Sequence, residues 1–401
     1  MLTKYKLREL IDVTRGMSLP GEYYSETGEL IRLTMGNFNY TGGGFKENTS
    51  KTDIYYTGPV RDEYILKKGD IITPLTEQAI GLLGTTAMIP ESDKYIQSQD
   101  VALITCKEDK LDHLFCYYLI SSDIVKKQLS AAAQQTKIRH TSPDKIMDCT
   151  VWIPEMSVQK RIGKTLYDID QKIALNTRLN AELEAMAKQL YDYWFVQFDF
   201  PDENGNPYKS SGGKMVYNST LKREIPAGWG TCTLGDFCDL YQPKTIGTDE
   251  MNEKGKYHVY GANGLIGFYD KYNHEESEIV MACRGNSCGA INRTMPFSWI
   301  TGNAMVLSVK DKSISNEFIS QCTNYMNVKG AITGSGQPQL TRENLAPLLM
   351  IYPLQNILNK FTKKVTPIIE YRLYIQKTSE YFTHLRDSLL PMLMNGQVTV
   401  E

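Results

Sequence analysis

Ten positions between Ile162 and Trp194 alternate without a break in steps of four and three residues: Ile162, Leu166, Ile169, Ile173, Asn176, Asn180, Leu183, Ala187, Leu190 and Trp194. A seam with that period belongs to a helix packed along its length against another helix. At 1.5 Å per residue it spans about 48 Å. Charges of both signs flank it, with Lys160, Arg161, Lys164, Lys172, Arg178 and Lys188 set among Asp168, Asp170, Glu182, Glu184 and Asp192. Asn176 and Asn180 in mid-seam suit a device that fixes register at some cost in stability. A solvated helix packed on its own domain is the alternative, but local packing rarely sustains so regular a pattern.

The partner helix is expected within the same chain, because the sequence repeats. A gapless shift of 199 residues carries Cys149-Thr150-Val151-Trp152-Ile153-Pro154 onto Leu348-Leu349-Met350-Ile351-Tyr352-Pro353. It also brings Phe361, Val365, Ile368, Ile375, Phe382, Leu389 and Leu393 onto the seam positions, with departures at Arg372, Ser379 and Arg386. Pro367 is expected to kink this second helix or start a new one. Upstream the copies align with drifting offsets: 68–72 matches 276–280, Gly81 meets Gly289, and Leu7-Arg8-Glu9-Leu10 meets Leu234-Gly235-Asp236-Phe237. Drifting offsets mean loops of different length on a shared scaffold.

Short β-type runs (70–73, 101–104, 304–309) and short helical stretches (111–129, 316–328) precede each long helix, so both globular parts read as α+β. A Gly- and Pro-rich passage from 199 to 230 reads as an ordered-to-flexible connection. The expected division is a globular domain at 1–154, a helix at 155–198, a linker and second domain at 199–353, and a second helix at 354–401, the helices antiparallel and the halves related by a pseudo-twofold axis. The 401 residues suffice for two cores, and the absence of an apolar run of 18 or an apolar leader speaks against a membrane span or export. The eight cysteines form no CxxC pair, which suggests reduced thiols and a cytoplasmic setting.

Catalytic motifs mostly fail. The Asn/Asp-Pro-Pro-Tyr/Phe signature of amino-methyltransferases is missing, and Gly163-Lys164-Thr165 lacks the first glycine of a phosphate loop because Val158 stands there. Cys283 and Cys288 near His274 have no second ligand pair, so no metal site is expected. No catalytic residue is assigned, and an enzyme is the weaker reading.

Each half carries a polar, permissive segment ahead of its helix: Gln134-Gln135-Thr136-Lys137-Ile138-Arg139-His140-Thr141 in the first, Gly334-Ser335-Gly336-Gln337-Pro338-Gln339-Leu340-Thr341-Arg342 in the second. Gln and Asn pair bidentately with adenine and Arg or Lys with guanine, so Gln135, Lys137, Arg139, Gln337, Gln339 and Arg342 are candidate DNA contacts. Lys126, Lys127, Lys137, Arg139 and Lys145 make the first segment locally basic. Asn263, in the glycine-rich run 260–269, and Arg284 and Asn286, after a predicted strand, are further candidates. Corresponding places in the first half offer Asn37, Asn39 and Gln78. Ordinary polar surface loops would have the same composition.

These residues also carry a likeness. The stretch Tyr193-Trp194-Phe195-Val196-Gln197-Phe198-Asp199-Phe200-Pro201, continuing through 204–215 and Arg223-Glu224-Ile225-Pro226-Ala227-Gly228-Trp229, resembles the central conserved region of the specificity subunits of type I restriction-modification systems. The element 154–159 is similar to that family's strand-to-helix junction, although the second copy has Leu358 where the first has Gln159. The resemblance implies two target recognition domains, each reading one half of a split target in double-stranded DNA, and a helical spacer that sets the gap. It implies two methyltransferase subunits and restriction subunits as partners. It places S-adenosylmethionine, ATP and magnesium in those partners, with no cofactor here. The 44 basic and 46 acidic residues leave a net charge of −2, so local basic faces would be hidden in the sum and the isolated subunit should bind DNA poorly.

Overall fold

A computed structural model describes residues 2–39, 42–77, 81–132, 139–252, 254–334 and 336–400. The chain divides into two compact units, one made of Met1–Asn176 and Thr378–Glu401, the other of Thr177–Lys377. Both have the same wiring. In the first, the strands Ile11–Arg15, Val101–Cys106, Ile71–Pro74 and Ala87–Met88 lie side by side in that order, antiparallel throughout. In the second, the order is Cys238–Tyr241, Ala304–Val309, Ile279–Ala282 and Ile291–Arg293, again antiparallel.

The inner strands are apolar on both faces because each face is covered. Successive side chains point to opposite sides of a strand. Accordingly Ile279, Met281, Met305 and Leu307 join the main core of the second unit, while Val280, Ala304 and Val306 pack with Ile300 on the other side. In the first unit Ile71, Ala102 and Ile104 face one core, and Ile72 and Val101 another. Each unit carries a smaller sheet with the same mixed pairing. Ile31–Arg32 runs parallel to Tyr95–Ile96 and antiparallel to Tyr55–Tyr56. Tyr257–Gly261 runs parallel to Trp299–Ile300 and antiparallel to Gly264–Tyr269. A two-stranded ribbon leads into each long helix: Thr3–Lys6 with Thr150–Ile153, and Gly230–Thr233 with Leu349–Tyr352.

The two junctions differ in chemistry. Gln159 is buried, accepts from the Asp112 amide (3.0 Å) and donates to the Lys110 (3.2 Å) and Pro154 (2.9 Å) carbonyls. Leu358, its counterpart, is buried in the apolar core of the second unit.

The long helices run Met156–Tyr191, followed by a single π turn at Asp192–Val196, and Gln355–Met394. Within the second unit they pair antiparallel, since Trp194 contacts Phe361 (centroids 5.9 Å apart) while Asn180 contacts Arg372. Within the first unit Arg161 meets Val400 and Asp170 meets Arg386, the same sense. Of the seam residues, Ile162, Leu166, Ile169, Trp194, Phe361, Val365 and Ile375 are buried, and Ile173, Leu183, Leu190, Ile368, Phe382 and Leu389 are half-buried.

Two expectations need correction. Pro367 does not start a new helix, because the second helix is continuous through it. Pro367 and Lys363 are both exposed, so water can satisfy the Lys363 carbonyl that loses its intrahelical donor. The 199–230 passage is more ordered than its Gly and Pro content suggests. It holds a hairpin of Met215–Asn218 and Arg223–Pro226, Phe200 stacks between Tyr208 (4.7 Å) and Trp229 (5.0 Å), and Asp199 accepts from the Ser210 amide (2.7 Å) and hydroxyl (2.6 Å).

Candidate nucleic-acid interface

The polar segment ahead of each long helix is tied to the loop that follows the central strand. In the first unit Arg139–His140 pairs antiparallel with Thr76–Glu77, and the Thr141 amide donates to the Leu75 carbonyl (2.9 Å). Glu77 is only 2% exposed, and its Oε2 accepts the Gly81, Leu82 and Leu83 amides at 3.1, 2.9 and 3.0 Å. Its other oxygen holds Arg139 at 3.1 Å, and that guanidinium also donates to the Ser130 carbonyl (2.5 Å) and hydroxyl (2.9 Å). Arg139 is therefore spent inside the protein, because a buried carboxylate needs a cation more than a surface loop does.

Asn37 is a second correction. It is 2% exposed, its Oδ1 accepts the Thr34 amide (2.9 Å) and its Nδ2 donates to the Lys46 carbonyl (3.3 Å), so the amide closes a turn and has nothing left to offer a base. The expected basic face is also partly engaged: Lys127 pairs with the Asp123 carboxylate (3.6 Å), and Lys145 keeps its charge but donates to the Ala132 carbonyl (3.0 Å). Asn39 is half-buried, and its backbone N–H donates to the Gly44 carbonyl (2.9 Å). Gln78, Gln135 and Lys137 lie outside the described residues.

The second unit brings its candidates together. Arg284 and Gln339 face each other across an antiparallel bridge, flanked by bonds from the Gly285 amide to the Pro338 carbonyl (3.0 Å) and from the Leu340 amide to the Cys283 carbonyl (3.0 Å). Gly285 takes φ +75°, a left-handed conformation that turns the chain sharply after Arg284. The Gln339 backbone also exchanges two bonds with the Thr333 backbone, at 2.9 and 2.8 Å. Arg284, Asn286, Gln337, Gln339 and Arg342 are all exposed, and Arg342 opens the short helix Arg342–Leu345 beside them in sequence. Asn263 is exposed at the turn between Tyr257–Gly261 and Gly264–Tyr269, a separate loop.

Below this surface the backbone is anchored. Cys283 is fully buried; its thiol donates to the Asn303 carbonyl (3.0 Å) and accepts from Gln242 Nε2 (2.9 Å). Its burial pushes the thiol pKa up. Among the described residues no three His, Cys, Asp or Glu side chains gather as a metal set, and no helix is long and apolar enough to cross a membrane.

The same bond pattern occurs in both units, from the Thr141 amide to the Leu75 carbonyl and from the Leu340 amide to the Cys283 carbonyl. It makes Thr76 and His140 the counterparts of Arg284 and Gln339. Sequence reasoning missed Thr76 and His140 as a pair, although the offsets it used (208 residues at the strand, 199 at the ribbon) would have matched them had both been applied.

The duplicated architecture agrees with the comparisons. The profile of the type I restriction modification DNA specificity domain matches residues 2–185 and again 226–370. The chain belongs to the type I restriction-modification specificity family. The MjaIX specificity subunit of Methanocaldococcus jannaschii is 24% identical over 318 residues, 72% of this chain and 69% of that one. The HindI specificity subunit of Haemophilus influenzae is 22% identical across 99% of this chain and all of the relative. The crystal structure of the S subunit from M. genitalium superposes with a TM-score of 0.66 at 19% identity, covering 98% of this chain and 96% of that one. The specificity subunit is the non-catalytic component of such a system, and its family profile occupies both units.

Proposed function

We propose that this specificity subunit reads a bipartite target in double-stranded DNA, one half-site per unit, and docks two methyltransferase subunits and restriction subunits. It supplies sequence discrimination alone; S-adenosylmethionine, ATP and magnesium serve the partners. The observation that carries this reading is the repeated wiring with different side chains at the same bridge: two units of one topology presenting two chemistries suit two unlike half-sites. The net charge of −2 supports a division of labour in which partners supply much of the phosphate neutralisation. The test is genome-wide mapping of adenine methylation with the subunit present and absent. A split motif that appears only with the subunit is expected; a contiguous motif, or none, overturns the proposal.

A further inference from the structure

Antiparallel neighbours that do not exchange hydrogen bonds with each other approach most closely, with Cα atoms about 4.5 Å apart and side chains on one face. Arg284 and Gln339 are such a pair, because the bonds fall on either side of them, Gly285 to Pro338 and Leu340 to Cys283. Both side chains are exposed, and neither makes a hydrogen bond or ion pair among the described residues. Arg293 pairs with Glu317 (2.6 Å), Arg372 with Glu184 (3.0 Å), and Arg223 lies over the Phe198 ring (5.4 Å), whereas Arg342 is exposed and, like Arg284, makes no such contact among the described residues. The backbone under the pair is held by buried Cys283 and Leu340 on either strand. An anchored backbone thus carries an unspent guanidinium beside an unspent carboxamide. A guanidinium forks onto guanine O6 and N7, and a carboxamide onto adenine N6 and N7, and side chains rooted about 4.5 Å apart can converge on adjacent base pairs stacked about 3.4 Å apart.

We propose that Arg284 and Gln339 are the base-reading pair of the second unit, taking a guanine and an adenine at adjacent base pairs in the major groove. Thr76 and His140 hold the same bridge in the first unit. The assignment rests on the DNA-reading function proposed above and adds to it which side chains discriminate. It also states an asymmetry. The first unit offers a half-buried hydroxyl and an exposed imidazole, and its nearby Arg139 is locked on Glu77, so no guanidinium reads guanine at that place.

The experiment expresses the subunit with its own methyltransferase subunits and maps methylated adenines for the wild type, R284A, R284K, Q339A and H140A. R284A and Q339A should each relax one base pair of the same half-site, by on the order of 5- to 100-fold in preference, and leave the other half unchanged. R284K keeps the charge but loses the fork, so it should relax the same base pair as R284A. H140A should alter only the opposite half. If a variant methylates too little DNA to map, competition by duplexes substituted at single base pairs replaces mapping. Lost discrimination at one pair supports the assignment, and uniform weakening at every pair overturns it by marking a phosphate contact. An intact split motif in all the variants overturns the reading pair and leaves the bipartite function standing. No split motif in the wild type removes both.

Discussion

At the scale of single residues, burial decides which polar side chains can face a ligand. Replacing Arg139 with alanine leaves the 2%-exposed Glu77 carboxylate without its cation. Three backbone amides still hold it and the guanidinium is 18% exposed, so the loss should be about 2–3 kcal/mol, below that of a fully buried pair. Thermal unfolding would show it as a lower Tm, whereas an unchanged Tm together with weaker DNA binding would mean that Arg139 contacts DNA after all. Asn37→Ala should cost about 1–2 kcal/mol through the unpaired Thr34 amide and leave the methylated motif unaltered. A pH effect is also specific to one thiol. The hydrogen bond from Cys116, helped by His113, pulls Cys106 down to about 6 against the effect of its burial, while burial pushes Cys149 and Cys232 up to about 11. Cys106 is mostly thiolate above that value and protonated below it, so its alkylation should rise between pH 5 and 7 and precede that of Cys149 and Cys232. Mass-spectrometric mapping of alkylation against pH checks the order.

At the scale of elements, the two arginines that depart from the seam in the second helix are cross-helix partners. Arg386 is 10% exposed and holds Asp170 at 2.9 Å, and Asp170 also accepts from the Tyr118 hydroxyl at 2.6 Å. Arg372 donates to Asn180 Oδ1 (3.0 Å) and pairs with Glu184 (3.0 Å). Such groups specify register more than they stabilise. R386M alone should destabilise by about 2–4 kcal/mol, because it strands Asp170 in a partly buried site. R386M with D170L should recover only part of that loss, since an apolar pair suits a seam but leaves the buried Tyr118 hydroxyl without its acceptor. Denaturant unfolding of both single variants and the double variant gives the coupling directly; additive losses would show that the two residues act independently. The seam period was legible in the sequence because it depends only on spacing along one helix. The pairing of Arg372 and Arg386 was not, because a charged residue at a seam position reads as a defect until the facing residue is known.

At the scale of the whole molecule, the proposed spacer role predicts a length dependence. One heptad inserted in register into each long helix adds about 10 Å of helix and keeps the seam in phase. The unread gap of the target should grow by roughly three base pairs at 3.4 Å per step. Methylation mapping that returns the original gap would refute the spacer. The low net charge predicts that binding by the isolated subunit is weak and that the complex shows the steeper dependence of affinity on salt, a difference read by titration at several salt concentrations.

What the sequence determined by itself is the repetition: two α+β units, each followed by a heptad helix, with strand runs and junctions at matching offsets. These features are periodic or duplicated, so they survive in one dimension. Residue types also singled out 284–286 and 337–342, two segments that the bridge between Arg284 and Gln339 brings together. Which of those side chains remain available was decided only in three dimensions. Arg139 and Arg284 look alike in the chain, but one lies against a buried glutamate and the other stands beside an exposed glutamine. Hydrogen-bonding capacity is shared with whatever the fold brings within about 3 Å, and that neighbour is set by strand pairing between residues more than fifty positions apart.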